Sequence, residues 1–262
     1  MTGPDLSTLD GLLRAAVQEP AYRPEFYRRL LDSKVLALVP PDPTVTRPNG
    51  DVVLRFVQWQ RPDGSHVIPF FSSTTTFFQA NPEGAKAVQL TTRDLFEMTR
   101  GAVLCLNPNC ECCREFAPTE VESLLEKGYL HEPKDEIIKE ERPVEIRTVS
   151  DPPTAMLNSL IVLYSRLPAV KGAYLISVRD PRRPEEGDIL WVVIDANGDM
   201  EPIVKQTSAV AYETYPGPRS LDILKAGATG GLLGPDTFLP EQQFYDRAWG
   251  HRLMPTPPYS PS

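Results

Sequence analysis

Proline sets the strongest limit on what this chain can fold into, because it accounts for 28 of the 262 residues. Many of these prolines lie in three places: residues 40–43, Pro152-Pro153 and the C-terminal stretch 255–261. A proline inside a helix removes a hydrogen bond and clashes with the preceding turn, so helices end near it. We therefore expect short elements joined by stiff connections, and we find no short internal repeat.

Between the prolines, the first half of the chain alternates helical and strand patterns. Apolar residues at helical spacing, with Pro or Gly at the ends, predict helices over residues 6–17, 24–31, 92–100 and 118–127. Compact apolar or β-branched runs predict strands at residues 35–39, 52–59, 66–71, 88–90 and 103–106. Residues 74–79 fit either a strand, because of their threonines, or a short helix that starts after Ser72 or Ser73.

The second half repeats this mixture. Its patterns predict helices at residues 154–167 and 200–215, and strands at residues 173–178, 189–194 and 221–224. A helix, a hairpin, a helix and a strand in this order suit helices that pack on one face of a sheet. The predicted fold class is therefore α+β, with two mixed α/β-sheet domains in tandem, each a small sheet packed with helices.

A charge-rich stretch between the halves predicts the domain boundary. Residues 132–145 contain Pro133 and Pro143 and few apolar residues that could join a core. A length of 262 residues also favours two domains, at roughly 150 residues each. The predicted division is a first domain at 1–133, a charged linker at 134–150, a second domain at 151–254 and a Pro-rich tail at 255–262.

The charge of the chain disfavours nucleic acids and membranes as partners. Its 27 basic and 35 acidic residues give a net charge of −8, and no basic stripe stands out. No apolar run approaches the roughly 20 residues that cross a bilayer. Residues 1–5 lack the basic and apolar segments of a signal peptide. We expect a cytoplasmic protein that binds neither nucleic acid nor membrane.

The most unusual local feature of the sequence is that all four cysteines lie within residues 105–113. Cys105 lies in an apolar strand and is typical of a small core residue. Cys110, Cys112 and Cys113 lie in the next connection, and His131 is a conceivable fourth ligand. Structural zinc sites usually take paired C-x2-4-C spacings, whereas this spacing is C-x4-C-x-C-C with two adjacent thiols that tend to diverge. We therefore predict no metal and keep a thiol- or metal-dependent site at these three cysteines as the alternative.

Other motifs resemble catalytic or binding sites but lack a necessary part. The hydroxyls of residues 72–76 have no G-x-S-x-G around them and suit a strand-to-helix turn. Residues 195–199 place glycine wrongly for a calcium loop. Residues 227–231 lack the lysine of a phosphate loop. The three histidines have no motif neighbour either. We predict no catalytic residue and no cofactor.

Several segments resemble the SseB family of bacterial proteins. In the first half they are residues 69–73, 104–108 and 116–125, and in the second half they are the helix from Thr154, the paired strands and residues 244–247. The resemblance spans most of residues 20–250 and concerns packing and turn signatures. It implies two α+β domains. Related domains occur near bacterial toxin–immunity and secretion systems, which implies protein binding. The segment 110–113 and the tail depart from the family pattern.

Together these observations predict a non-catalytic protein–protein interaction module. Its candidate roles are those of an adaptor or of an immunity-type protein associated with a secreted toxin or secretion system. Aromatic residues near the ends of elements are the candidate partner contacts. They are Phe77, Phe78, Tyr212, Tyr215, Phe244, Tyr245 and Trp249. The alternative function is a thiol- or metal-dependent enzyme or sensor that uses the three clustered cysteines. A ligand-binding regulator is a third possibility for which the sequence shows no fingerprint.

Overall fold

A computed structural model shows the chain as two compact units, Met1–Leu130 (the first unit) and His131–Ser262 (the second unit). It describes residues 4–46, 48–50, 52–130, 145–179, 181, 187–215, 217, 219–227 and 237–249, without the side chains of Val52 and Trp249. Each unit contains helices and a mixed sheet. The fold is α+β, as predicted.

The first unit contains five α-helices and eight strands among its described residues. The helices are α1 (Leu9–Gln18), α2 (Arg23–Asp32), α3 (Thr74–Ala80), α4 (Thr92–Met98) and α5 (Pro118–Lys127). The strands are β1 (Lys34–Leu38), β2 (Thr44–Thr46), β3 (Val52–Leu54), β4 (Trp59–Gln60), β5 (His66–Phe71), β6 (Ala87–Thr91), β7 (Leu104–Leu106) and β8 (Arg114–Phe116). The main sheet has the order β6-β1-β5-β7-β8, and β4 pairs with the start of β5. Only β5 and β7 are parallel in this sheet.

The helices of the first unit cover a core rich in aromatic rings. Phe70 of the central strand lies 6.0 Å from the ring of Phe96 and 6.2 Å from that of Phe116, between ring centroids. Local signals mark the ends of the helices. At the start of α1, the Thr8 side chain accepts a hydrogen bond from the Gly11 amide. Gly128 ends α5 in the left-handed conformation that glycine adopts most easily.

Two parts of the first unit differ from the sequence prediction. Residues 52–59, predicted as one strand, form the two short strands β3 and β4, which pair with different partners. Residues 74–79, which fitted a strand or a helix, form helix α3. Strands β2 and β8 were not predicted, because three-residue strands are too short for an alternating pattern to stand out.

The second unit contains two α-helices and five strands among its described residues. They are β9 (Glu145–Arg147), α6 (Thr154–Ser165), β10 (Val170–Arg179), β11 (Ile189–Ala196), α7 (Glu201–Thr214), β12 (Leu221–Lys225) and β13 (Gln243–Asp246). The sheet order is β12-β11-β10-β13, and β9 pairs with the far end of β10. Strand β12 is parallel to β11, and α7 is the helix of this crossover. Strand β10 is almost entirely buried, which explains why it reads as a continuous apolar run.

Two of the predicted boundaries can be compared with the described residues only in part. Residues 145–147, which we assigned to the linker, form strand β9 and pair with β10. The remainder of the predicted linker up to residue 144, and the predicted tail at 255–262, lie outside the described residues. Within the described part of the chain, no helix is long and apolar enough to cross a membrane.

Candidate functional site

Polar residues gather where the parallel strands β5 and β7 end. Ser72 and Ser73 follow β5, and Asn107 follows β7. From these ends the chain leaves in opposite directions, through α3 to the edge strand β6 and through the cysteine-containing connection to the opposite edge strand β8. The carboxyl ends of parallel strands whose connections diverge are where α/β sheets most often place functional groups. This edge of the sheet is therefore the first place to look for a site.

A carboxylate from α1 joins these residues in one hydrogen-bonded cluster, the Asp10–Asn107 network (Asp10, Ser72, Ser73, Thr76 and Asn107). The Ser72 hydroxyl donates to Oδ1 of Asp10, and the Asn107 Nδ2 donates to the same oxygen at 3.1 Å. The Ser73 hydroxyl donates to Oδ2 of Asp10 at 3.1 Å. The Ser72 amide donates to Oδ1 of Asn107 at 3.0 Å. The network thus joins α1 to the ends of both parallel strands.

The chemistry of the network is that of a structural link. Ser72 donates its hydroxyl proton to Asp10, and both oxygens of Asp10 accept bonds from inside the network. The Asn107 side chain is only 2% exposed. A serine nucleophile is usually activated by a neighbouring base such as histidine, and no described histidine lies in the network. The network therefore fixes the positions of α1 and α3 relative to the ends of β5 and β7.

Helix α3 is held at its start by this network and along its length by Phe77. The Ser73 hydroxyl accepts from the Thr76 amide at 3.2 Å, and the Thr76 hydroxyl accepts from the Ser73 amide at 3.2 Å, which is a reciprocal cap. The buried ring of Phe77 packs edge-on against Phe71 at a centroid distance of 5.5 Å. Although α3 is short, it is held both by its cap at Ser73 and by the packing of Phe77.

The outer side of α3 forms an exposed surface, here called the α3 face (Thr74, Thr75, Phe78 and Gln79). All four side chains are exposed, and the side chain of Phe78 is 59% exposed. The Phe78 ring packs edge-on beside that of Phe77, with 5.2 Å between the ring centroids. A large aromatic side chain on a well-anchored helix, with most of its surface in water, is a typical anchor for a partner.

The other predicted aromatic contacts have different environments. Phe77, Phe244 and Tyr245 are buried and have no surface for a partner. Tyr212 and Tyr215 are half-buried, and the Tyr212 hydroxyl donates to the Leu221 carbonyl at 2.9 Å. The side chain of Trp249 lies outside the described part of the chain. Phe78 is therefore the exposed member among those that the structure describes.

The cysteine segment (residues 110–113) lies beside α3 and α1. The Cys110 Sγ is 3.8 Å from the Thr76 carbonyl oxygen, and Glu111 forms an ion pair with Arg14 of α1 at 3.0 Å. Cys112 packs partly against the core, whereas Cys113 is exposed. Among the described residues, no group of three or more His, Cys, Asp or Glu side chains is arranged to hold a metal ion. His131 and His251 lie outside that part, and His66 is an exposed residue at the start of β5.

The surroundings of three thiols disfavour the thiolate form. Burial raises the pKa of Cys105 to about 12. Burial also raises the pKa of Cys110 and of Cys112, and the nearby Asp10 carboxylate adds to the increase at Cys110. A reactive thiol requires the opposite shift, because the thiolate is the nucleophile. At these three positions the structure provides protonated thiols at neutral pH.

The raised pKa of Cys105 predicts that the folded protein loses measurable stability at alkaline pH. Its pKa in the folded protein is raised from an ordinary 9.0 to about 12, so the folded state holds the proton more tightly than the unfolded state. The stabilising contribution is complete below pH 9 and is lost as the pH rises towards 12. We expect the free energy of unfolding to fall more steeply with pH in the wild type than in Cys105→Ala, measured by denaturant unfolding between pH 8 and about 11.

The exposed Cys113 provides the matched control for this experiment. Cys113→Ala should retain most of the steep alkaline slope of the wild type, because burial, the largest cause of the raised pKa of Cys105, is unchanged. If Cys105→Ala and the wild type lose stability in parallel, the buried thiol does not govern the alkaline dependence.

Both halves of the chain match known protein domains. The family model of the SseB protein N-terminal domain matches residues 9–123, and the family model of the SseB protein C-terminal domain matches residues 138–247. The chain belongs to the SseB family. It is similar to Protein SseB of Escherichia coli (strain K12), with 34% identity over 249 residues that cover 92% of this chain and 93% of that protein. Protein SseB of Shigella flexneri is similar to the same extent. No solved structure matches the chain.

The family membership confirms the resemblance predicted from the sequence and makes this a bacterial protein of the SseB family. The segments 69–73 and 104–108, on which that resemblance rested, supply Ser72, Ser73 and Asn107 to the network. The prediction that the hydroxyls at 72–76 satisfy backbone groups at a strand-to-helix turn holds for Ser73 and Thr76, whereas the Ser72 hydroxyl bonds the side chains of Asp10 and Asn107. Sequence reasoning missed Asp10, because nothing near that residue in the sequence indicates a partner 62 residues away.

Proposed function

We propose that this SseB-family chain is a non-catalytic protein–protein interaction module, of the adaptor or immunity type, and that the α3 face contacts the partner. The observation that carries the proposal is the 59% exposed side chain of Phe78. Leaving an aromatic ring in water forfeits about 1.5–3 kcal/mol that burial would supply. A partner that covers the ring recovers this free energy.

The anchoring of α3 makes Phe78 a well-prepared contact. The Ser73–Thr76 cap and the buried Phe77 hold the helix on the sheet before any partner arrives. A contact residue on an ordered element loses less conformational entropy on binding than one on a mobile loop. Thr74, Thr75 and Gln79 are exposed on the same short helix and have groups that can donate and accept hydrogen bonds. An apolar anchor with a polar rim is the usual anatomy of a protein interface.

The thiol-dependent alternative receives less support. The raised pKa values of Cys105, Cys110 and Cys112 oppose nucleophilic chemistry at neutral pH. The ion pair between Glu111 and Arg14 also commits a nearby cation to a carboxylate, which leaves it less able to stabilise a thiolate. The cysteine segment therefore fits a packing role beside α1 and α3 better than a reactive site.

Phe78→Ser should weaken binding of the partner without unfolding the protein. Interface anchors of this kind contribute 2 kcal/mol or more, so we expect a loss of affinity of about 30-fold. The measurement is affinity capture from native bacterial lysate with the full chain, followed by mass spectrometry, and then titration of the captured protein against wild type and variant. Met98→Ser is the matched control, because Met98 is also on a helix of the first unit and is 61% exposed.

Three results would count against the proposal. One is equal binding of the partner by wild type and Phe78→Ser, and another is an equal loss with Met98→Ser. The third is repeated capture of no specific protein, together with turnover of a small molecule. An immunity role makes a further demand: the captured partner should be a toxic protein whose activity falls when this chain is added.

A further inference from the structure

The hairpin formed by β2 and β3 stands apart from the main sheet of the first unit. In the described part of the chain these two strands form a sheet of their own, and they pair only with each other. All three residues of β2 are exposed, including Val45 at 39%. An isolated two-stranded hairpin is marginally stable in water, and an exposed edge strand is a template for another strand.

The hydrogen bonds of the hairpin show which backbone groups face outward. The strands are antiparallel, with Val45 opposite Val53, and the Arg55 amide donates to the Pro43 carbonyl at 2.7 Å. Hydrogen-bonded pairs alternate with non-bonded pairs along such a ladder, so Val45 and Val53, the second pair along from Pro43 and Arg55, are also a hydrogen-bonded pair. The amides and carbonyls of Thr44 and Thr46 therefore point away from β3. No described residue of a third segment bonds to them through its backbone.

We propose that β2 pairs with β2 of a second copy of this chain, in antiparallel orientation about a twofold axis at Val45. The segment Thr44-Val45-Thr46 reads the same in both directions, so this pairing sets like against like. Thr44 faces the partner subunit's Thr46, and both residues have outward amides and carbonyls that exchange hydrogen bonds. Closed twofold pairing of one surface with itself is the commonest way in which protein chains associate.

The side chains suit this register as well as the backbone does. Val45 and Val45 of the partner subunit form the pair without direct hydrogen bonds, in which side chains approach most closely, with Cα atoms about 4.5 Å apart. β-Branched side chains at such positions stabilise a sheet. The three residues of strand β2 include no lysine and no proline, the residues that commonly protect exposed edges from pairing, although Pro43 directly precedes the strand.

The pairing is weak, because a three-residue strand buries far less than the roughly 1,000 Å² of a stable interface. In sedimentation experiments we expect a mass of 29.2 kDa at low concentration, rising towards twice that value as the concentration approaches about 1 mM. V45K and V45E should each stay monomeric, since like charges face each other across the axis. An equimolar mixture of V45K and V45E should associate again, because the opposite charges then face each other.

Val17→Lys is the matched control, since Val17 is an exposed valine of α1 at 52% and is remote in sequence from the hairpin. It should associate as the wild type does. Thr46→Pro supplies a second, backbone-directed variant: it removes an outward amide and leaves the inward bonds of Val45 in place. It should remain monomeric.

A wild type that stays monomeric at about 1 mM would overturn the proposal. So would association that persists in V45K and Thr46→Pro, or a mixture of V45K and V45E that stays monomeric. The inference is independent of the α3 face, because Phe78→Ser leaves β2 intact and should associate like the wild type.

Discussion

Replacing Arg247 by alanine should destabilise the second unit by about 4 kcal/mol, one of the two largest effects that we expect. The Arg247 guanidinium donates to the carbonyls of Leu167 and Val170 at 2.6 Å each, and to that of Tyr164 at 2.7 Å. These carbonyls lie at the end of α6, in the turn to β10 and at the first residue of β10, and those of Tyr164 and Leu167 also accept from backbone amides. Charge-assisted bonds are the strong ones, and alanine would leave their acceptors without this donor.

The position of Arg247 explains why a lysine would not replace it. Its planar fork reaches three carbonyls at once and also lies over the ring of Tyr245, with the guanidinium carbon 5.9 Å from the ring centroid. A lysine ammonium is a point charge that cannot span the same acceptors. We expect Arg247→Lys to recover less than half of the lost stability.

The measurement is denaturant unfolding combined with hydrogen exchange of the α6 amides, which assigns the loss to the second unit. Arg147→Ala is the control. Arg147 is an exposed arginine of the same unit whose ion pair with Glu145 lies on the surface. Exposed ion pairs contribute about 0–1 kcal/mol. If Arg247→Ala and Arg147→Ala cost the same, Arg247 does not cap α6.

Replacing Asn107 by alanine is the second large expected effect, a loss of about 3–4 kcal/mol in the first unit. The buried side chain accepts from the Ser72 amide and donates to Asp10, so its removal leaves both partly buried groups without these bonds. The backbone of Asn107 also has a φ of +51°, a conformation that asparagine tolerates better than alanine. Both costs act at the same residue.

Asn109 separates these two costs. It has a similar φ of +62°, but its side chain is exposed and takes no part in the network. Asn109→Ala should therefore cost about 1 kcal/mol or less, which is the backbone contribution alone. Asn107→Asp should also be destabilising, because it brings a second carboxylate next to Asp10. Thermal unfolding and exchange of the α1 and α3 amides measure all three. Equal losses for Asn107→Ala and Asn109→Ala would show that the network contributes nothing.

Elements with strong local patterns were predicted from the sequence nearly as they occur. Helix α5 begins at Pro118 and ends before Gly128, and both residues act through their own backbone angles. Strands β10 and β11 read as apolar runs because they lie at the centre of a sheet covered on both faces. In these cases the residues that decide the structure lie within the element.

Elements that depend on distant partners were not predicted. Strand β9 lies in a charged segment and exists because it pairs with β10, about 30 residues further along. Strand β13 lies near the other end of the unit in sequence and also pairs with β10 in this sheet. Three of the predicted contact aromatics proved to be buried, because an aromatic residue has the same pattern in a core as at an interface. Burial is a property of the packed chain.

The sequence by itself determined the α+β class, most helices and the absence of a recognisable catalytic motif, because these follow from periodicity, from proline and glycine, and from the spacing of reactive residues. Only the tertiary structure decided that Asp10 meets Asn107 across 97 residues, that Phe78 is exposed beside the buried Phe77, and that β2 pairs with β3 apart from the main sheet. Hydrogen bonds and burial depend on which segments lie together in the folded chain. The pattern of residues along the sequence does not show which distant segments these are.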